Sequence, residues 1–499
     1  MLDLLVFLPL LAAVVLAALP RLPDVAARAA LVAVTGAELL LALGLWLGYE
    51  PRPGVVGDIA YERELQWIPS VDSGYHVGVD GLSLPLLLLT TGVFFCSALY
   101  AWREQLRPRT FAALLLFLET ACLGVFASLD LILFFVFFDL SIVGMYFVIA
   151  GWGHGQAARS ALKFFLYTFL GSLALLVGFL ALFVGAEPHT FDMVQLAQDP
   201  PLEGRPLAGG LALLAISIGL AVKTPTVPFH TWLPPAHTDA PAVGSAILAG
   251  VLLKMGTYGF VRIAMPMLPD AWRTWSLVAV VVGVVGVVYG ALVALAQTDL
   301  KRMIAYTSVA HMGYVILGLG AAGLLGGTDA EARTVAVTGA VTQMVAHGFI
   351  TAALFLLAGV LQDRAGSYDL GSFGGLFATA PRFAGLFAVG AFASLGLPGF
   401  LGFVAEFQVL AGSLGSAPVA VVLALLGLLV TAALFLWVLS RLLLGEPGRL
   451  SERVTDLRPS ELAGVVPLLG LALLLGVFPR PVLEVIEPSA RAVVELVSR

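Results

Sequence analysis

Residues 207–237 read LAGGLALLAISIGLAVKTPTVPFHTWLPPAH. The first part, through Val222, carries no charge, and it is followed at once by Lys223, Pro225 and Pro228. About 20 apolar residues span a ~30 Å hydrocarbon core as a helix. Lys223 falls more than ~20 Å along such a helix, at ~1.5 Å per residue. Proline has no N–H, so the carbonyls of Ala221 and Thr224 lose their intrahelical donors. Irregular backbone at membrane depth survives only where it is buried in protein or lines a wet cavity. The stretch therefore reads as a membrane helix interrupted next to a buried lysine.

Composition extends this reading to the whole chain. Of 499 residues 60% are apolar and 12% charged, about half the charged fraction of a soluble protein. Apolar runs recur at about 3–20, 29–48, 79–101, 110–127, 129–151, 162–184, 207–223, 240–262, 273–295, 302–322, 335–360, 383–413, 416–440 and 461–479. The expectation is an all-α polytopic membrane protein with about fourteen transmembrane helices. Runs such as LILFFVFF at 131–138 are apolar on every side, which excludes the alternating strands of a transmembrane barrel. The residues Met1-Leu2-Asp3 lack a positive n-region, so the first run is expected to be a retained span. The tail from Pro481 reads as a short amphipathic helix at the membrane surface. A net charge of −6 without a basic block excludes nucleic-acid binding. Cys96 and Cys122 lie in apolar runs and offer neither a disulfide framework nor ligands for an iron–sulfur cluster or zinc.

Most Lys and Arg fall on one side of this arrangement, including Arg103, Arg107, Arg109, Arg159, Lys163, Lys301 and Arg302. The long acidic segments 49–78 and 185–206 fall on the other, with Arg262 and Arg273 as a mild exception. The positive-inside bias places both termini outside and implies a multi-pass protein of a bacterial-type plasma membrane. Of the 26 cations, only Lys223 and Lys254 are left inside spans.

Carboxylates accompany them. Asp139, in LDLILFFVFFDLSIVGMYF, is near mid-membrane, and Glu406 follows a second break at Gly396, Pro398, Gly399 and Gly402, where Ser394 loses its helical donor. A charge at the bilayer centre costs about 2.5–3.5 kcal/mol or more unless paired or hydrated, so such residues mark ion pathways and proton relays. Glu119 fits either a path residue or a protonated helix–helix hydrogen-bond donor. His311 and His347 lie within spans and titrate near neutral pH, which suits a relay as well as packing. His230 and His237 flank the first break, while His76, His154 and His189 are expected to be solvated. The two interrupted spans are the seventh and twelfth. Paired interruptions of this kind mark inverted repeats around a midplane ion site. The expected organisation is 1–109, three helices with an acidic outside loop; 110–262 and 263–441, two inverted five-helix repeats; and 442–499, the last span with the amphipathic tail.

Several strings carry a specific resemblance: YHVGVDGLSLPL at 75–86, MYFVIAGWGH at 145–154, AVKTPTVPFHTWLPPAH at 221–237, LLKMGTYGFVR at 252–262, AQTDLKRMIAYTSVAHMGYV at 296–315, QMVAHGFITAALFLLAGVL at 343–361 and GLPGFLGFVAEF at 396–407. Over nearly its whole length the chain resembles the NuoM-type antiporter-like subunits of proton-pumping NADH:quinone oxidoreductase (respiratory complex I), within the Mrp antiporter superfamily. Glutamate at 406, where sister subunits carry lysine, favours the NuoM type.

The resemblance implies a proton-translocating subunit of a quinone-reducing translocase. Asp139 and Lys223 would form the charged pair of a first half-channel, Lys254, His311 and His347 an axis along the membrane, and Glu406 the second half-channel, with Glu119, His230 and His237 as accessory positions. It implies NuoL- and NuoN-type membrane-arm partners in the lipid bilayer. Redox chemistry is expected in other subunits, which would hold NADH, FMN, iron–sulfur clusters and quinone, with no cofactor or metal in this chain. An Mrp-type cation/proton antiporter subunit and a non-pumping membrane scaffold are the alternatives. Two positions depart from the family pattern: Asp139 stands where Glu is usual, one methylene shorter, and Pro235 replaces the acidic residue of the usual WLPDAH.

Overall fold

The computed structural model describes residues 1–19, 21–50, 59–326 and 329–499; Arg52 and Asp58 of the first acidic segment lie outside them. With no water in the hydrocarbon layer, each spanning segment satisfies its backbone internally, and nearly the whole chain is helical. The helices are α1 (Leu2–Ala18), α2 (Asp24–Leu47), α3 (Leu84–Tyr100), α4 (Pro108–Ala127), α5 (Leu131–Trp152) and α6 (Ala157–Gly185). After the short α7 (Met193–Gln198) come the two parts of the first interrupted span, α8 (Pro206–Lys223) and α9 (Leu233–Asp239). Next are α10 (Ala242–Met267), α11 (Pro269–Leu295), α12 (Leu300–Gly323) and α13 (Ala330–Ala365). The second interrupted span is α14 (Pro381–Ser394) with α15 (Leu401–Ser413), followed by α16 (Pro418–Leu443), α17 (Pro459–Val477) and α18 (Arg480–Ser498). Among the described residues, 12 helices are long and apolar enough to cross a membrane. The shorter α1 and the α14–α15 pair supply the remaining crossings, so each expected span has a counterpart and the two interrupted spans are the seventh and twelfth.

Burial orders these helices. The apolar stretches of α10 and α13 are wholly enclosed, whereas only a third of that of α16 is buried. The 36-residue α13 is ~54 Å long, exceeds the bilayer core, and packs against α10, α12, α15, α17 and α18. Chemistry carried by α10, α12 and α13 is therefore screened from lipid on all sides. Small residues bring the central helices together: a Cβ on Gly256 of α10 would meet Leu220 O at 2.6 Å and Thr224 N at 2.7 Å, so glycine is required where α10 crosses the end of α8.

The acidic segment 49–78 holds an antiparallel hairpin, β1 (Ala60–Ile68) and β2 (Ser73–Val79), which the sequence reading left without structure. Arg63 and Tyr75 bind Asp3 of α1, and Gly81 N donates to Ser489 Oγ of α18. The hairpin, the start of α1 and the C-terminal helix thus share one face. The expected amphipathic tail is present as α18, but its apolar residues, including Val485, Ile486, Val493 and Val494, are buried against the protein. Arg273 and Arg333 fasten its last turn through Val497 O and Ser498 Oγ, both at 2.9 Å. Its apolar face is covered by this chain, not by lipid, because the ends of α11 and α13 lie directly beneath it.

Two charge assignments change. Arg262 is not a loop cation: it is buried, and Nη1 lies 2.8 Å from Asp80 Oδ2. Its neutralisation leaves Arg273, itself paired with Asp270, as the exception to the charge bias. Lys301, expected at the charged surface, is fully buried at the start of α12, with Nζ donating to Ala240 O at 2.5 Å beneath the Tyr368 ring.

Candidate proton path

At the first break the chain satisfies itself by changing its hydrogen-bond spacing. The Ala221 carbonyl, freed by Pro225, accepts from Thr226 N at 3.0 Å, and the indole of Trp232 donates to Val222 O at 2.9 Å. Lys163, one of the cations on the positively charged side, donates to Thr231 O at 2.7 Å and holds the chain after the break. These contacts fix the end of α8, where Lys223 is 1% exposed.

Lys223 Nζ donates to Ser141 Oγ at 2.9 Å and lies 4.6 Å from the centre of the Phe138 ring. Ser141 in turn donates to Phe138 O at 2.6 Å, so its oxygen is free to accept from the ammonium. Asp139 is not in ion-pair contact with Lys223. Its Oδ1 has no hydrogen-bond partner, and the nearby Ser172 of α6 donates to Phe169 O at 2.9 Å. The expected direct pair is thus replaced by a serine-held lysine with the carboxylate set back, because Asp139 is short and Ser141 presents the nearer oxygen.

Lys254 occupies the centre of α10, just after a π-helical stretch, Leu248–Leu252. Its Nζ donates to Ala249 O at 2.5 Å and lies 2.6 Å from His347 Nδ1 of α13. When Lys254 is an ammonium it only donates, and Nδ1 of His347 then accepts with its proton on Nε2. The His347 and His311 rings are 5.3 Å apart at 73°. His311 Nε2 lies 3.1 Å from Ser394 O, which only accepts, so Nε2 carries the proton and Nδ1 is free. Ser394 is the residue whose carbonyl Pro398 strips of its helical donor, and the second break thus provides the anchor for His311.

Glu406 closes the row. Its Oε1 lies 3.8 Å from His311 Nε2 and 3.4 Å from Gln343 Nε2. Gly396 sits against it with φ +79°, and a Cβ there would lie 2.5 Å from Glu406 Oε2. The backbone angle favours glycine, and a side chain there would push the Glu406 carboxylate from its place. His311, Gln343, His347, Ser394 and Glu406 line a cavity of about 10 Å³, near the smallest volume that accepts a water molecule.

The accessory positions divide. His237 is fully buried, stacked 4.4 Å from Phe355, with neither ring nitrogen bonded to protein. His230 packs edge-on to Tyr289 at 5.1 Å. Glu119 is fully buried on α4, and neither of its oxygens has a hydrogen-bond partner. The sequence reading missed Lys301, which a position at the start of a span disguised. It also missed Glu38, a carboxyl inside α2 that the same test applied to Glu119 would have found.

On the hairpin face, His76 is buried, not solvated. Nδ1 lies 2.5 Å from Asp192 and Nε2 2.8 Å from Glu62. Burial opposes its charge, but the two carboxylates outweigh burial and push its pKa up to about 9. Glu64, His76 and Asp192 are close enough to share a metal ion, yet both ring nitrogens are already engaged, so the group acts as a clamp between the hairpin and α7.

Comparison with known proteins accords with this geometry. Residues 128–432 match the family model described as NADH:quinone oxidoreductase/Mrp antiporter, TM. The chain is 40% identical to NADH-quinone oxidoreductase subunit M of Rhodobacter capsulatus, over 99% of this chain and 96% of that protein. It is 38% identical to F(420)H(2) dehydrogenase subunit M of Methanosarcina mazei, over 92% and 91%. A subunit of respiratory complex I from Thermus thermophilus superposes over the full length of both chains, with TM-score 0.89 and 31% identity. The chain therefore belongs to the NADH:quinone oxidoreductase/Mrp antiporter family of membrane proteins, as an antiporter-like subunit of its M type.

Proposed function

We propose that the chain moves protons across the membrane as one subunit of a quinone-reducing complex, through a first half-path at Asp139 and Lys223 and a second from Lys254 to Glu406. The observation that carries this reading is the alternation of donors and acceptors between Lys254 and Glu406. Lys254 donates to His347 Nδ1; His347 Nε2–H and His311 Nδ1 are the unbonded donor and acceptor of neighbouring rings; His311 Nε2–H faces Glu406. A proton passed from Lys254 to Nδ1 releases one from Nε2, and the next ring repeats the step, ending at the carboxylate. Each transfer conserves charge, and the histidines return to their starting tautomers by rotation or by reverse tautomer exchange.

The lysines provide the control. A buried ammonium is held by its partners, so any change that alters the Asp139–Lys223 or Lys254–His347 distance alters its readiness to release a proton. In this reading electron transfer to quinone takes place in partner subunits, which hold the NADH-oxidising flavin and iron–sulfur clusters. NuoL- and NuoN-type subunits flank this chain in a bacterial-type plasma membrane, with the hairpin face outside. The relative in Methanosarcina mazei is named for a different electron donor, F(420)H(2), which fits a proton module independent of the donor's identity. Lys223→Met in the assembled, reconstituted complex tests the reading: loss of proton pumping supports it, and undiminished pumping at normal quinone reduction removes the assignment.

A further inference from the structure

A narrow groove runs along α8 to the first break. It opens beside Pro206, passes between Leu214 and Ile218 of α8 and Trp275 and Val282 of α11, and ends at residues 226–229, with a volume of about 620 Å³. From Pro206 to Ala221 its length is ~22 Å, at ~1.5 Å per residue. None of the described residues that line it is charged. At the inner end the Thr226 hydroxyl turns back to Ala221 O at 3.4 Å. The walls therefore offer hydrocarbon, interrupted by Ser217.

Its shape selects the occupant. About 620 Å³ spread over ~22 Å gives a channel ~6 Å wide, whereas an α-helix with its side chains measures about 10–12 Å. A helix of a neighbouring subunit does not fit, but a single hydrocarbon chain does. The groove is continuous with the exposed apolar surface of the spanning helices, where Leu211, Leu214 and Val278 are each more than half exposed. Left empty, its walls would forfeit their contacts on one side, and water finds too few polar partners there.

The mouth suits a phosphate. Arg205 directly precedes Pro206 and is exposed, and the start of α8 adds the positive end of its helix dipole. Asp270 accepts from Gly204 N at 3.2 Å, but it is already paired with Arg273. Arg205 is thus left to receive an anionic group. On the opposite side of the chain, Phe260 of α10 and Ile316 of α12 close the floor, so the occupant stays outside the row between Lys254 and Glu406.

We infer that the groove holds one acyl chain of a membrane phospholipid, with the phosphate at Arg205 and the chain end against residues 226–229. The chain forms one wall of the break that follows Lys223. The site does not depend on whether Lys223 carries protons.

The test is photo-crosslinking in the assembled complex, with p-benzoylphenylalanine in place of Leu214, or in place of Leu170 of α6, which is exposed outside the groove. Loosely held lipid is stripped by repeated detergent exchange, the sample is illuminated, and the labelled peptide is weighed by mass spectrometry. A phospholipid adduct is expected to survive stripping at Leu214 and to be lost at Leu170. Gly210→Leu is expected to remove most of the Leu214 adduct: a Cβ at Gly210 meets only Trp275 Nε1, at 3.4 Å, so the longer side chain fills the groove without disturbing α8. Arg205→Gln is expected to weaken the adduct. An adduct to a peptide of another subunit, or to a lipid without phosphate, overturns the site. So does a phospholipid adduct lost equally at Leu214 and Leu170, the mark of bulk lipid only. Should the Leu214 variant not assemble, the probe in place of Leu211 decides by the same outcomes.

Discussion

Lys254 Nζ on α10 lies 2.6 Å from His347 Nδ1 on α13, so the lysine donates and the imidazole accepts between two helices that lipid does not reach. Replacing His347 with Gln keeps an acceptor for Lys254 but removes the second nitrogen that passes the proton on. Positioned proton transfer contributes typically 10²–10⁴-fold. His347→Gln is therefore expected to slow coupled proton pumping by about 10²-fold with the complex assembled, measured as pH change in proteoliposomes. His347→Ala is expected to lose assembly as well, because Lys254 then keeps only the Ala249 carbonyl.

Ser141 takes the contact with Lys223 that a longer carboxylate would make. Ser141→Ala leaves a buried ammonium without its side-chain partner, at a cost of about 1–3 kcal/mol, and lowers both thermal stability and pumping. Asp139→Glu adds the missing methylene and reaches toward Lys223. The double variant Asp139→Glu/Ser141→Ala is expected to recover pumping relative to Ser141→Ala, and a double-mutant cycle measures the recovery.

The hairpin clamp titrates from outside the membrane. The pKa of His76 is pushed up to about 9 from ~6.5 in an unfolded chain. Its contribution is thus fully present below about pH 6.5 and is lost as pH rises through about 9. Hydrogen exchange in β1 and β2, corrected for the intrinsic effect of base, is expected to accelerate across that window in the wild type. In His76→Gln, exchange is expected to be faster throughout and free of that transition.

Arg364 at the end of α13 makes a two-pronged contact with Glu461 of α17, at 2.8 and 2.7 Å, with both side chains buried. Removing one partner of a buried ion pair costs about 3–5 kcal/mol. Glu461→Gln is expected to lower the melting temperature and the yield of assembled complex. Protons pumped per electron should remain unchanged in the fraction that assembles, because neither residue belongs to the row.

The sequence made the spans and the breaks legible because each depends on a local rule: an apolar run of sufficient length, or a proline that removes a donor. Ser394 shows how far this reaches. Its orphaned carbonyl could be named from Pro398 alone, but that His311 would occupy it depends on how α12 packs against the end of α14. The same applies to Ser141, whose role arises only when α8 places Lys223 beside it, and to His76, which looked solvated until α7 brought Asp192 across. Lys301 and Arg262 were misplaced for a different reason. Position along a span measures depth, but not whether a neighbouring chain segment covers the residue. The apolar face of α18 was read correctly as a face, while its partner was not, since amphipathicity is the same toward lipid and toward protein.

The most direct measurement of the central claim is protons pumped per electron in liposomes containing the assembled complex with Lys254→Met. The row from Lys254 through His347 and His311 to Glu406 predicts a lower ratio than in the wild type, with any residual quinone reduction less coupled to pumping. An undiminished ratio at a normal rate of quinone reduction would contradict it.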